Sequence, residues 1–513
     1  MADQVARVEF QLNPSAVDVG GIVVTALGVE REAREVTTSV QSLDGEALSD
    51  APDQNLVSSL SGKISGVHII SSNTPGGSAR MVIRGVNSLT GGNQPLFVLD
   101  GVPVSNAART SGTRGYNAID YGNAISDINP NEIESISVLK GPNAAALYGS
   151  RAANGAVIIT TKSGSTARDL QITARADMTF ENPLRLPDYQ NMFAQGANGN
   201  FSPSMDESWG PQLDVGNEAV QPLYGDEPMP LVSHPDNVRN FFETGQSVNT
   251  SFSLATGTED SSIRLSVANR DYSGMLPGFE LDRTNVGLSG SLGLTQRLRA
   301  QASLRYMNTD AQNRPAQGYG EDNVMWNFLW FGRQVDTDVL RQRRFNEDGS
   351  QFTWNTVWGN NVYWTQLEDR NWDTRDRFIG SGSLTYEFTP WLNLMGRAGT
   401  DYSDEFQKEI YRAGTRTVSS ETGAFGEYTY SRQETTMEAL LSAQYPGLEG
   451  MSLDGAIGMS RRDNDYRSQG VWINELVVPE LYDTGNSAVA PSTSDYRSQV
   501  RVNSLYGFVN FGF

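Results

Sequence analysis

The sequence predicts an antiparallel β-barrel of the transmembrane kind, preceded by a compact α+β domain. Three observations predict it. From about residue 168 to 513 the chain carries roughly ten strands of period two, each with one apolar and one polar face. Leu298, Ala300, Ala302, Leu304 and Tyr306, for example, interleave with Arg297, Arg299, Gln301, Ser303 and Arg305. The connections between strands alternate short (295–297, 389–391) with long (307–376, 402–428), the asymmetry of tight periplasmic turns and large external loops. The composition also suits short strands and tight turns, with 51 Gly, 20 Phe, 19 Tyr and 9 Trp in 513 residues. A soluble β-sandwich or propeller has alternating strands too, and remains the rival on these features alone.

No apolar run of about 18 residues exists, so no membrane helix is encoded, and membrane strands stay open. The formal charge of −21 argues against nucleic acid as a partner, although solubility alone accounts for it. With no Cys there are no disulfides or thiolate metal sites. Asp3, Arg7 and Glu9 interrupt the first twenty residues, so an export signal is expected upstream.

Residues 38–165 read as the α+β domain, closed by the turn-rich Lys162–Thr166 stretch. Asp53 or Asn55 caps a helix across Leu56, Val57, Leu60 and Ile64, and Gly66 ends it. Strands follow at Val67–Ser71 and Met81–Gly85. Asp100-Gly101 splits two apolar runs and tolerates the positive φ angles of a two-residue hairpin turn. Asn129-Pro130 opens a helix, Ile136–Leu139 is a strand, Asn143–Tyr148 a helix and Ala156–Thr161 a strand.

The run from Asn129 to Lys162 resembles the plug signature of TonB-dependent receptors, and in wording it is most similar to the SusC/RagA branch. Arg84-Gly85, Asp100-Gly101, Gly141-Pro142, Tyr148-Gly149 and Asn154-Gly155 carry that resemblance, which also extends to Leu186–Gly196, Trp209–Asp214 and Asn237–Gly245. It implies a 22-stranded outer-membrane barrel with the plug (38–165) inside. Residues 166–513 would then be the first half of its wall, and residues 1–37 the end of a periplasmic β domain and a linker. A wall of ten strands leaves no room for such a plug, which independently implies further strands. The implied partners are the periplasmic C-terminal domain of TonB, a SusD-like surface lipoprotein, outer-membrane lipid, and a glycan or peptide ligand.

Ile22-Val23-Val24-Thr25-Ala26 resembles the TonB box: an extended apolar segment between glycines adds as a strand to a partner's sheet. The alternative is a strand of the preceding β domain. Arg84 is expected in the plug sheet, paired with wall carboxylates. Six tryptophans fall in 321–372. Trp326, Trp330, Trp354, Trp358 and Trp364 are candidates for ligand or lipoprotein contact, against girdle or loop packing. Where the family often has proline, this chain has Val362.

Enzymatic chemistry finds little support. His68 and His234 are the only histidines, and no H-E-x-x-H or G-x-S-x-G pattern occurs. Gly141–Gly149 lacks the Gly-Lys-Ser/Thr close of a phosphate loop, and the Asn346–Ser350 stretch lacks the distal Glu of a calcium loop. No cofactor is expected. The reading is energised outer-membrane import. Its rivals are a siderophore- or cobalamin-type receptor and a passive or structural outer-membrane protein.

Overall fold

The computed structural model describes residues 22–24, 30–32, 39–45, 47, 55–72, 74–89, 92–110, 118–141, 143–164, 169–418, 420–445 and 452–512. Two bodies are built from different sheets. The first holds β1 (Ile22–Val24), β2 (Glu30–Glu32), β3 (Ser39–Asp44), β4 (Val67–Ser71), β5 (Ala79–Ile83), β6 (Leu96–Leu99), β7 (Val102–Val104), β8 (Ala108–Thr110), β9 (Ala118–Asn123), β10 (Ile133–Lys140) and β11 (Ala156–Thr161). Its five-stranded sheet runs β3-β10-β11-β6-β7, and β4 pairs with β5 beside it. Buried Leu56, Val57, Met81, Phe97, Leu99, Ile136 and Val157 form its core.

Its helices are shorter than the sequence suggests. Asn55 caps a single turn, Leu56–Ser59, by accepting from Val57 N. Asn129 caps only a 3-10 turn, Pro130–Glu132, because the following residues enter β10 at once. The Asn143–Tyr148 helix matches its expected bounds. Asp100 and Gly101 both have positive φ, 47° and 81°, and turn β6 into β7 with two residues.

The second body is one antiparallel sheet of ten strands. It comprises β12 (Gln171–Glu181), then, beyond the loop strands β13 (Gly196–Ala197), β14 (Asn200–Phe201), β15 (Glu218–Val220) and β16 (Pro228–Pro230), the strands β17 (Gly245–Gly257), β18 (Ser261–Ser273), β19 (Glu280–Gly293) and β20 (Leu298–Gln312). After the short β21 (Ala316–Gln317) come β22 (Arg370–Thr389), β23 (Leu392–Tyr411), β24 (Ala424–Tyr445), β25 (Ser452–Ile473) and β26 (Ser492–Gly512). Each wall strand pairs with its neighbour in order. The expected 402–428 loop shrinks to 412–423, because β23 and β24 run on as paired strands well past the apolar zone.

The outward face separates a membrane wall from a soluble sandwich. Val267, Val286, Tyr306, Phe378 and Tyr402 lie in one cross-strand row and are outward apolar or aromatic residues, each 38–43% exposed except Val286. Two positions further along the central strands the face turns polar at Asn308, Asp376 and Asp404. The Val267–Tyr402 row reaches Ala174 on β12 and Gln499 on β26. The apolar limit does not follow it. On β12 it climbs six positions, from 174 to Phe180, and on β26 it falls six, from 499 to Leu505. Twelve residues of about 3.3 Å over nine inter-strand steps of about 4.8 Å make a slope of roughly 40°, the tilt of outer-membrane strands. Tyr386, Phe388, Trp391 and Tyr445 form the opposite, turn-side rim.

Candidate functional site

The inward face of the wall is where the two bodies meet, and its chemistry is ionic. Plug carboxylates project toward strands β18 to β23, and inward-facing arginines there receive them. Glu132, at the end of the 3-10 turn, lies between β18 and β20. Arg264 donates to both its oxygens (the Nη2 contact is 3.0 Å), Ser266 Oγ donates at 2.7 Å, and Arg305 stands at 3.9 Å. Burial acts to raise the Glu132 pKa, but Arg264, Ser266 and Arg305 outweigh it and hold the carboxyl below its ordinary value.

A second cluster surrounds the turn 121–127. Arg375 reaches Asp127 at 3.1 Å, the Tyr121 carbonyl at 2.9 Å and Glu405 at 3.2 Å. Arg377 forks onto Asp401 at 2.8 and 2.9 Å while donating to the Ala124 carbonyl. Arg283 donates to the Ser126 carbonyl, and Tyr121 Oη donates to Glu409 at 2.9 Å. On β24 and β25 the polarity reverses. Plug Arg151 meets wall Glu434 at 2.6 Å, and Arg109 lies between the rings of Tyr430 and Tyr466, 4.8 and 5.1 Å from their centroids.

Such an interface can release. Ion pairs and hydrogen bonds exchange for water at a small net free energy, whereas an apolar seam would resist in proportion to its area. Apolar seams are few here. Among the described residues they form two patches: Met307 and Ile379 against one face of the plug core, and Leu440 with Met395, Ala456 and Tyr506 against another.

The signature glycines work through the backbone, and Asp100, Tyr148 and Asn154 through their side chains. Asp100 accepts from Thr161 N (2.9 Å), Thr161 Oγ1 (2.7 Å) and wall Ser303 (3.0 Å), tying β6, β11 and β20 together. A Cβ on Gly101 would meet the Arg397 guanidinium at 2.1 Å, and one on Gly155 would meet the Leu139 carbonyl at 2.7 Å. Gly85, Gly141 and Gly149 also have positive φ. Asn154 donates to the Gly92 carbonyl, and Tyr148 packs against the apolar cluster around Leu96 and Val98. Pro142 lies outside the described residues.

A family model described as TonB-dependent Receptor Plug Domain matches residues 32–156. TonB-dependent receptor SusC of Bacteroides thetaiotaomicron is 27% identical over 418 residues, 76% of this chain and 37% of that protein. The chain carries the plug domain of TonB-dependent receptors and is similar to their SusC/RagA branch. TonB-dependent receptor P26 of Formosa agariphila is 26% identical over 376 residues, 71% of this chain and 33% of that protein. The RagAB peptide importer in its open-open state superposes with a TM-score of 0.73 at 19% identity, over 96% of this chain and 55% of that one. The chain spans well under two thirds of the length of these relatives.

Of the residues that resemble a TonB box, Ile22–Val24 form β1, paired antiparallel with β2. Thr25 and Ala26 lie outside the described residues. Arg84 departs from its expected pairing. It sits at φ 58°, exposed, and no ion pair with a wall carboxylate forms among the described residues. Its charged neighbour is Lys140, whose amine is pushed down first by burial and then by Arg84.

The tryptophans divide. Trp354 and Trp364 are 1% and 0% exposed, and Trp326 is also buried. Trp354 belongs to a core of the external loops with Phe241, Phe328, Phe331 and Tyr363, against which Trp330 packs, so these rings face the loops' own interior rather than a ligand. Trp358 alone of the five is largely exposed, at 51%. Val362 opens the helix Val362–Leu367 at its first position, where proline also fits, and the Asn361 cap preserves that turn.

The arginines of the wall were legible only as polar-face positions. Their alternation gives the face, but no local pattern names a partner more than a hundred residues away.

Proposed function

We propose that the receptor imports a nutrient of oligosaccharide or peptide class across the outer membrane, driven by TonB and capped by a SusD-like surface lipoprotein. The observation that carries this reading is the charged seam of Glu132, Asp127 and Arg151 against wall residues of opposite sign. A plug tied in by polar contacts closes the lumen at rest and yields when pulled. Pull reaches it from β1 through β3, an edge strand of the plug sheet that pairs with β10 alone. The sloped apolar girdle supports an outer-membrane location, and the resemblance of the sequence to the SusC/RagA branch supports a lipoprotein lid. Deleting residues 22–26 tests the reading. Uptake is expected to vanish while ligand binding at the cell surface persists, and undiminished uptake would show that transport is not energised through this segment.

A further inference from the structure

The plug and the external loop 313–369 are joined directly. β21 of the loop pairs with β9 of the plug (Ala316 with Ile119, Gln317 with Ala118). The Gln317 side-chain amide donates to Ser72 Oγ at 2.7 Å and Thr74 Oγ1 at 2.6 Å on the plug crest. Beside this bridge lies a cleft of about 310 Å³, open on one side. Its apolar lining comes from three places: Pro75 of the plug, Phe242 and Met275–Leu276 at the upper ends of β17 and β18, and Pro315 and Met325 of the loop.

The polar side chains of the lining are already engaged. Gln317 and Thr74 are bonded to each other, and Tyr272 Oη donates to Glu181 at 3.1 Å. Asn323 accepts from Met325 N at 2.9 Å and donates to the Gly318 carbonyl at 2.7 Å. A sugar ring placed here would have to compete with these bonds for the four polar side chains of the lining, whereas an apolar group meets the apolar majority without that cost. We propose that this cleft is a ligand subsite for an apolar side chain of leucine or phenylalanine size, carried by a peptide. The inference rests on the import reading and narrows its substrate class. Because the cleft wall 315–317 is itself stitched to the plug, an occupant touches the crest and the bridge together.

Calorimetric titration of the purified receptor in detergent, with no TonB present, tests this separately from transport. The probes are Gly-Phe-Gly, Gly-Ser-Gly and maltotriose, against the wild type, Met325→Trp and Met325→Leu. Gly-Phe-Gly is expected to bind at least about tenfold more tightly than the other two, as burial of one aromatic side chain requires. Met325→Trp, which fills the cleft, is expected to lower that affinity about tenfold or more, and Met325→Leu to preserve it. Absence of Gly-Phe-Gly binding, equal binding of Gly-Ser-Gly or maltotriose, or full affinity in folded Met325→Trp each overturns the proposal. If Met325→Trp fails to fold, Met275→Trp fills the cleft from its opposite wall and carries the same expectation. Retained binding with lost selectivity for uptake in cells would count against the import reading alone.

Discussion

Arg264 of β18 and Glu132 of the plug meet as a two-nitrogen, two-oxygen fork, with both side chains less than a tenth exposed. The two residues stand 132 positions apart in the chain, and each is the other's main reason for tolerating burial. Replacing Glu132 with Gln leaves Arg264 buried without a carboxylate and Arg305 with Asp100 alone. The expected loss is about 3–5 kcal/mol of plug retention, read as earlier thermal release and faster proteolysis of the plug. The acid limb has the same origin. Because the folded carboxyl lies below its ordinary 4.5, its contribution is complete above that value and fades as pH falls further. The Gln variant is expected to lack this limb.

Gly101 tests the close approach of plug and wall. In Gly101→Ala the new methyl group collides with the Arg397 guanidinium, which also donates to Glu438, and the φ of 81° strains any L side chain. A destabilisation of about 1–3 kcal/mol is expected, most of it strain, because the guanidinium is the far end of a flexible side chain and can move aside. Urea titration of Gly101→Ala in an Arg397→Ala background separates the two parts: the collision disappears and the strain stays.

The sloped girdle assigns each outward residue to lipid or to water. Leu384, about midway between Phe378 and Phe388 on β22, faces acyl chains, and Asp376 on the same strand stands above them. Leu384→Arg is expected to cost about 2–4 kcal/mol in folding into lipid vesicles, and Asp376→Arg about 0–1. Equal costs at the two sites would remove the membrane assignment of this face.

Asp369 clasps two loops. It accepts from Arg412 N at 2.9 Å and from Thr415 Oγ1, while burial pushes its carboxyl up to about 7, with Glu368 and Glu480 adding to the rise and the two donors opposing it. In this case the folded carboxyl holds a proton that the unfolded one, near 3.8, has released. The resulting stability is complete below about 4 and is lost as pH rises through about 7. Amide exchange of residues 412–415, corrected for intrinsic rate, is expected to show progressively easier opening up to that point, and Asp369→Asn to flatten the profile.

Much of this molecule is readable from local pattern. Period two fixes which face of Leu298–Tyr306 is apolar, because successive side chains in a strand point to opposite sides. The plug turns at Asp100-Gly101 and the caps at Asn55 and Asn129 are likewise short-range, set by residues within three positions of one another. The tryptophans show where that legibility ends. Trp354 and Trp358 are four residues apart in a similar polar context, yet one is 1% and the other 51% exposed, because Phe331 and Tyr363 arrive from elsewhere to cover only the first.

The sequence by itself determined the two-part architecture, the strand faces and the plug turns, all of which follow from interactions within a few residues. Only the tertiary structure decided which arginine meets which carboxylate, that Arg84 stands apart from the wall carboxylates described here, and that a loop strand at 316–317 locks onto the plug. Those choices depend on strand register and tilt, which bring together groups separated by hundreds of residues and leave no short-range signature.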